Sequence, residues 1–242
     1  MAGWDLVWQD EFDGPEIDLS KWSYEVNGDG GGNNEKQYYT DRPENARIEA
    51  GALVIEARAE RYLGRRYTSA RLRTLNQGDW QYGRLVIRAR LPYGQGIWPA
   101  IWMLPTDNVY GSWAASGEID IVELLGHQPN TVHGTLHYGG RWPDNTNTGA
   151  SYVLPDADFS DDWHVFQLDW EPEAFRWTVD DTLYQTQTHW RTRAAPYPAP
   201  FDQRFHLLLN VAVGGNWPGD PDESTVLPQV MRVDYVRVYQ QP

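Results

Sequence analysis

Two packed antiparallel β-sheets are the fold this sequence predicts, and three observations predict it. Apolar and polar residues alternate with period two in several segments, the signature of half-buried strands. No sustained helical periodicity runs beside them. The 22 glycines and 16 prolines are spread through the 242 residues, as many short turns require. A chain of this length can bury roughly 70–75% of its unfolded surface, so a large core is available.

The strands follow in order. In LVIEARAE (53–60), Leu53, Ile55, Ala57 and Ala59 take one face, and Glu56, Arg58 and Glu60 share the other with Val54. In RLVIRARL (84–91), Leu85, Ile87, Ala89 and Leu91 alternate with Arg84, Arg88 and Arg90. FRWTV (175–179) and FHLLLNVAV (205–213) repeat the pattern, and Asp180–Asp181 between FRWTV and TLYQT predicts a tight hairpin. NGDGGGNN (27–34) is the long Gly-rich loop. It lacks a following helix and a Lys-Ser/Thr pair, which argues against a phosphate cradle. No linker, repeat or low-complexity tract interrupts the chain. The expectation is one domain over residues 1–242, with a dozen or more strands.

Bulk chemistry narrows the partners. The formal net charge of −14 repels a polymer of phosphates and an anionic membrane, so no nucleic-acid or membrane partner is expected. No apolar run approaches the ~20 residues of a membrane span. The opening MAGWDLVWQDEF has no basic region followed by an apolar one, so no secretion signal is expected within these residues. Cysteine is absent, so no disulfide holds the fold. The 13 Trp and 14 Tyr against 6 Phe suit either an aromatic-rich core or rings at a half-wet surface, where sugar faces stack.

The stretch GEIDIVELLG (117–126) places Glu118, Asp120 and Glu123 inside an apolar run. On a regular strand Glu118 and Asp120 share a face, while Glu123 would enter the core with the isoleucines. A buried unpaired carboxylate is very costly. A β-bulge after Asp120 resets the phase and returns Glu123 to the acid face. Three carboxylates in a row suit a hard cation, a glycoside hydrolase pair, or a solvated polar face.

In GIWPAIWML (96–104), Trp98 and Trp102 share a face roughly 13 Å apart along an extended chain. They bracket one or two sugar units, or they belong to the core. In TVHGTLHYGG (131–140), His133 and His137 share a face. Two such histidines suit zinc, but no third nitrogen or sulfur ligand with suitable spacing follows.

These motifs together resemble glycoside hydrolase family 16, whose active-site strand reads Glu-x-Asp-x-x-Glu. LVWQDEFDG (6–14), NNEKQYYT (33–40), YTSARLRT (67–74), GIWPAIWML, HGTLHYGG, LLLNVAVGGNWPG (207–219) and VDYVRVY (233–239) resemble family segments in the same order. The resemblance covers essentially the whole chain. It implies a β-jelly-roll sandwich with the acids on a concave sheet lining a substrate cleft. Within the family, the longer acid motif resembles the β-1,3-glucanases, or laminarinases, and several galactan hydrolases. The acidic charge suits a neutral glucan better than a sulfated galactan. A β-glucan polysaccharide is therefore the expected partner, with mixed β-1,3-1,4-glucan a further substrate.

The resemblance also implies roles. Glu118 would be the nucleophile of a retaining mechanism, Glu123 the acid and then the base, and Asp120 a hydrogen-bond partner of Glu118. His137 would reach Glu123 or the sugar. Trp98 and Trp102 would flank the attacked sugar, with Asn34, Arg71, Trp113, Trp142, Asn210 and Trp217 as further substrate-binding candidates. Asn210 falls opposite Leu207, Leu209 and Val211, as a cleft residue should, while Arg71 is equally well read as structural. A structural Ca²⁺ would sit at Glu11, the Gly51 carbonyl and Asp234; otherwise those acids are ordinary surface residues. The expected protein is a secreted, extracellular monomer with no catalytic cofactor. A non-catalytic glucan-binding module and a transglycosylase are the rival readings. The three acids argue against the first, and product sizes larger than the substrate would reveal the second.

Overall fold

Eighteen strands account for nearly all the regular structure of the computed structural model, which describes residues 3–242. In chain order they are β1 (Asp5–Asp10), β2 (Ser23–Tyr24), β3 (Gln37–Tyr39), β4 (Ala46–Ile48), β5 (Leu53–Tyr62), β6 (Arg65–Ser69), β7 (Arg71–Arg73), β8 (Asp79–Trp80) and β9 (Gly83–Arg90). Then follow β10 (Ile97–Pro105), β11 (Glu118–Leu124), β12 (Thr131–Tyr138), β13 (Thr146–Val153), β14 (His164–Glu171), β15 (Ala174–Val179), β16 (Thr182–Gln187), β17 (Phe205–Val213) and β18 (Gln229–Gln240).

They form two sheets. The ten-stranded sheet runs β16-β15-β14-β9-β18-β5-β6-β3, with β1 on β18 and β4 on β5. The eight-stranded sheet runs β13-β12-β11-β10-β17-β7-β2, with β8 on β17. Neighbours far apart in sequence, such as β9 with β18 and β10 with β17, pair throughout. The arrangement is the expected jelly-roll sandwich.

One pairing departs from the all-antiparallel expectation: β3 lies parallel to β6. A parallel pair needs a long connection, and the path through β4 and β5 supplies it. The Asp180–Asp181 hairpin forms as expected, with φ of 45° and 66° at the two turn residues. Both lie in the left-handed region that a two-residue turn demands and that aspartate tolerates.

Alternation decides the core. Ile97, Ile101 and Met103 of β10, Val132 and Leu136 of β12, and Leu207, Leu209, Val211 and Val213 of β17 point inward. Leu53 and Ile55, Leu85 and Ile87, Phe166 and Leu168, and Phe175 and Trp177 meet them from the other sheet. In β5 and β17 the second face is covered too, so Val54, Glu56 and Asn210 are also buried. Glu56 lies 2.9 and 2.5 Å from Arg47 and Arg58, the pairing a buried carboxylate needs.

Candidate active site

The acid strand opens at Gly117, whose φ of +86° is left-handed and whose missing Cβ would fall 2.7 Å from the Phe201 ring. Only glycine fits there without strain. Along β11 the pairing with β10 runs Met103↔Ile119, Trp102↔Asp120, then Ile101↔Val122 and Ala100↔Glu123. Against β12 it jumps from Asp120↔Thr135 to Glu123↔His133. Ile121 is the extra residue, so a β-bulge sits where the sequence requires one. Ile119, Ile121, Val122 and Leu124 all stay in the core, each at most 2% exposed. Glu118, Asp120 and Glu123 emerge together on the opposite side.

Each carboxylate has its own neighbour. Trp113 Nε1 donates to Glu118 Oε2 at 2.7 Å, and Trp98 Nε1 donates to Glu123 Oε1 at 3.1 Å. His137 Nε2 lies 3.2 Å from Asp120 Oδ2 and 3.7 Å from Glu118 Oε1. The imidazole on the adjacent strand stands beside both Asp120 and Glu118, and one expectation is thereby corrected. His137 reaches Glu118 and Asp120 rather than Glu123, because the register sets it opposite Glu118. His133, opposite Glu123, instead packs edge-on against Trp217 and bonds Ser151 Oγ at 2.9 Å. The two histidines therefore do not share a ligand set, which removes the geometric basis for zinc between them. Among the described residues, the group of three or more acids and histidines able to meet at one ion is Glu118, Asp120 and His137.

Burial sets the electrostatics. It pushes the Glu118 carboxyl up to about 8, the Asp120 charge adds to this, and His137, the Trp113 N–H and Arg71 pull the other way. Burial holds Asp120 and Glu123 well above the usual carboxylate range, Glu123 also through the charges of Asp120 and Glu118. Like charges so close cannot all ionise, and the protons leave the group as a set. One carboxylate and one carboxylic acid can thus coexist at a single pH, as glycoside chemistry requires.

The neighbouring strands extend the same face. Trp102 Nε1 donates to Asn210 Oδ1 at 2.7 Å, and Asn210 Nδ2 to the Tyr39 hydroxyl at 3.2 Å. Tyr39 in turn donates to Glu35 Oε2 at 3.2 Å, and Gln37 Nε2 donates to the same oxygen at 2.6 Å. Arg71 lies over the Tyr39 and Trp102 rings and reaches Glu25 at 3.2 Å and Glu35 at 3.7 Å. Burial opposes its charge, but Tyr39, Glu25 and Glu35 outweigh that and raise its pKa. Arg71 is only 7% exposed and Asn210 only 3%, so both work beneath the groove rather than at its surface. Glu35, Gln37 and Tyr39 were not singled out from the sequence. Their alternate spacing in EKQYY is the signal that marks them as one face of a strand.

The rim carries the exposed rings. Trp217 packs edge-on against Trp98 at 5.7 Å. Asn34 Nδ2 donates to Asn216 Oδ1 at 2.8 Å, which ties the Gly-rich loop to the Trp217 loop. Trp113 tilts against His137 at 5.7 Å. Trp142 stands 75% exposed on the loop after β12.

The expected calcium residues do converge. Asp10 pairs with Val236 and Leu53 with Val233, which brings Glu11, Gly51 and Asp234 to one region of the ten-stranded sheet. Both Glu11 oxygens, however, accept from Arg237 at 2.8 Å, and Asp234 Oδ2 accepts from Arg88 at 2.6 Å. The oxygen donors suit a hard cation, which would have to displace two guanidinium partners.

Comparison with known proteins gives one answer. The family described as glycosyl hydrolases family 16 matches residues 33–237. Glucan endo-1,3-beta-glucosidase A1 of Niallia circulans is 43% identical over 265 aligned residues, taking in 100% of this chain and 38% of that protein's length. The chain thus spans well under half of that relative. The laminarinase of Rhodothermus marinus superposes with a TM-score of 0.90 at 49% identity, covering 99% of this chain and 98% of that one. A variant of a non-specific endo-beta-1,3(4)-glucanase, crystallised with 1,3-beta-D-cellotriosyl-glucose, gives a TM-score of 0.90 at 40% identity, covering 100% and 96%. Strand order, acid strand and comparisons agree, and the chain belongs to the glycosyl hydrolases of family 16.

Proposed function

We propose that this chain is an endo-β-1,3-glucanase that cleaves laminarin-type glucans by a retaining double displacement. One observation carries the reading. Glu118 and Glu123 lie on one face of one strand, each accepting an indole N–H, with Asp120 between them. In the first step ionised Glu118 attacks the anomeric carbon and Glu123 gives its proton to the departing glycosidic oxygen. In the second, Glu123 takes a proton from water, which attacks the same carbon and releases Glu118. The relatives named glucan endo-1,3-beta-glucosidase and laminarinase, together with the acidic net charge, support a neutral β-glucan. The non-specific relative supports mixed β-1,3-1,4-glucan as a second substrate.

A panel of laminarin, lichenan, agarose, carrageenan and xyloglucan with product analysis tests the substrate. Release of laminarin oligosaccharides is expected, whereas binding to laminarin without new reducing ends would replace the enzyme by a binding module. Glu118→Ala should abolish hydrolysis, and azide should restore a slow reaction giving the inverted glycosyl azide. Near-normal activity of that variant would overturn the mechanism.

Action as a secreted monomer belongs to the same proposal, and light scattering checks the monomer. Among the described residues no helix is long and apolar enough to cross a membrane. Structural calcium at Glu11, the Gly51 carbonyl and Asp234 is a separate proposal, supported by the meeting of those three segments. A Tm that falls on adding chelator supports it, and an unchanged Tm rejects it.

A further inference from the structure

The bulge that carries Glu123 to the groove is held from across the sandwich. Trp177 on β15, wholly buried in the opposite sheet, donates its Nε1 proton to the main-chain carbonyl of Asp120 at 2.9 Å. A bulge disturbs the ladder bonds of its strand, and this carbonyl sits at the residue where the register slips. The neighbouring strand leaves room for the indole. At Gly134, between Thr135 and His133 on β12, an added Cβ would meet Trp177 Cδ1 and the Tyr184 hydroxyl, each at 2.6 Å. Gln185, paired with Trp177 across β15 and β16, donates to the Gly134 carbonyl at 3.3 Å. The pairing of β15 with β16 also slips, immediately after Trp177. Two irregular ladders, one in each sheet, therefore face each other and are joined by side-chain bonds to main chain. Trp170 provides the contrast: it is equally buried in the same core, yet its Nε1 has no hydrogen-bond partner.

We propose that Trp177 is a positioning residue for catalysis. Its N–H fixes the Asp120 carbonyl, and through it the backbone turn that sets Glu123 relative to Glu118. This rests on the reading that those two glutamates are the reacting pair. Trp177 makes its hydrogen bond to main chain and its ring contact to Phe175, so its loss should act on the geometry of the acids and leave the glucan-binding rings in place.

The experiment replaces Trp177 with 3-benzothienyl-alanine, which keeps the bicyclic volume and removes the N–H, and alongside it with Phe. Trp170→Phe controls for loss of a buried indole, and Glu118→Ala checks the reading beneath. The isosteric variant should lose roughly 10- to 100-fold in kcat on laminarin, the scale of a misplacement near 1 Å. Its KM should stay within twofold and the limbs of its pH–rate profile should move. Trp170→Phe should lower Tm with little change in kcat or pH profile. An isosteric variant with unaltered kcat and pH profile overturns the proposal. So does one that fails to fold while Trp170→Phe folds, because the bond would then serve the fold alone. If Glu118→Ala stays active, the underlying reading fails instead.

Discussion

Replacing Glu118 with Gln should stabilise the protein, and only above acidic pH. The folded chain holds this carboxyl at about 8 against an ordinary 4.5, chiefly through burial and the neighbouring Asp120. A folded-state pKa raised in this way means the proton is bound more tightly by the folded chain than by the unfolded one. The associated stability is complete below pH 4.5 and is lost as pH rises to 8. Each factor of ten in proton affinity is about 1.4 kcal/mol. Between pH 4.5 and pH 7 the folded state forgoes about two and a half such factors, a ceiling of about 3.5 kcal/mol. Water entering the half-open groove lowers this, so a gain of about 1–3 kcal/mol is expected at pH 7. For a chain of this length, that is a rise in Tm of roughly 3–10 °C. Gln still accepts from Trp113 through its carbonyl, so the groove loses the charge and keeps the bond. Scanning calorimetry of both proteins at pH 4.5 and pH 7.5 measures the effect. Equal Tm differences at the two pH values, or a less stable variant at pH 7.5, would refute the argument that burial strains this carboxylate.

Glu123→Gln should lower kcat on laminarin by about 10²–10⁴ and spare aryl glycosides with very good leaving groups; equal losses on both would deny it the acid role. Arg71→Met leaves Glu35 without its guanidinium and Glu25 with only Arg73 at 3.8 Å, and breaking a buried pair costs about 3–5 kcal/mol. Urea unfolding should show that loss, and a change under 1 kcal/mol would mean the pair is solvated. Trp98→Phe removes the N–H on Glu123 while keeping a ring for the sugar. Its kcat should fall several-fold more than its affinity for laminarin oligosaccharides, and the reverse would make Trp98 a binding platform only.

The strands were legible because burial imposes period two on a half-covered sheet, and the four alternating segments fall on β5, β9, β15 and β17, with Leu91 alone lying one residue past β9. The bulge was legible for the same reason: only an extra residue lets Ile119, Val122 and Glu123 all be satisfied. Partners across space were not. His137 was expected to reach Glu123 or the sugar, yet the register of β11 with β12 sets it beside Glu118 and Asp120. Trp142 and Trp113 looked alike as isolated rings, and the path of their loops sends one into solvent and the other onto Glu118. Trp177 read as one more core residue, because nothing in FRWTV tells which carbonyl its indole will meet.

The sequence by itself determined the sandwich, the acid face and the bulge, since each follows from which side chains can leave water along a single strand. Tertiary structure alone decided which groups meet: imidazole with Asp120, guanidinium with Glu11 and Asp234, indole with the bulge carbonyl. Alternation is a local property of the backbone, whereas a hydrogen bond between strands fifty residues apart depends on register and packing that no single segment encodes.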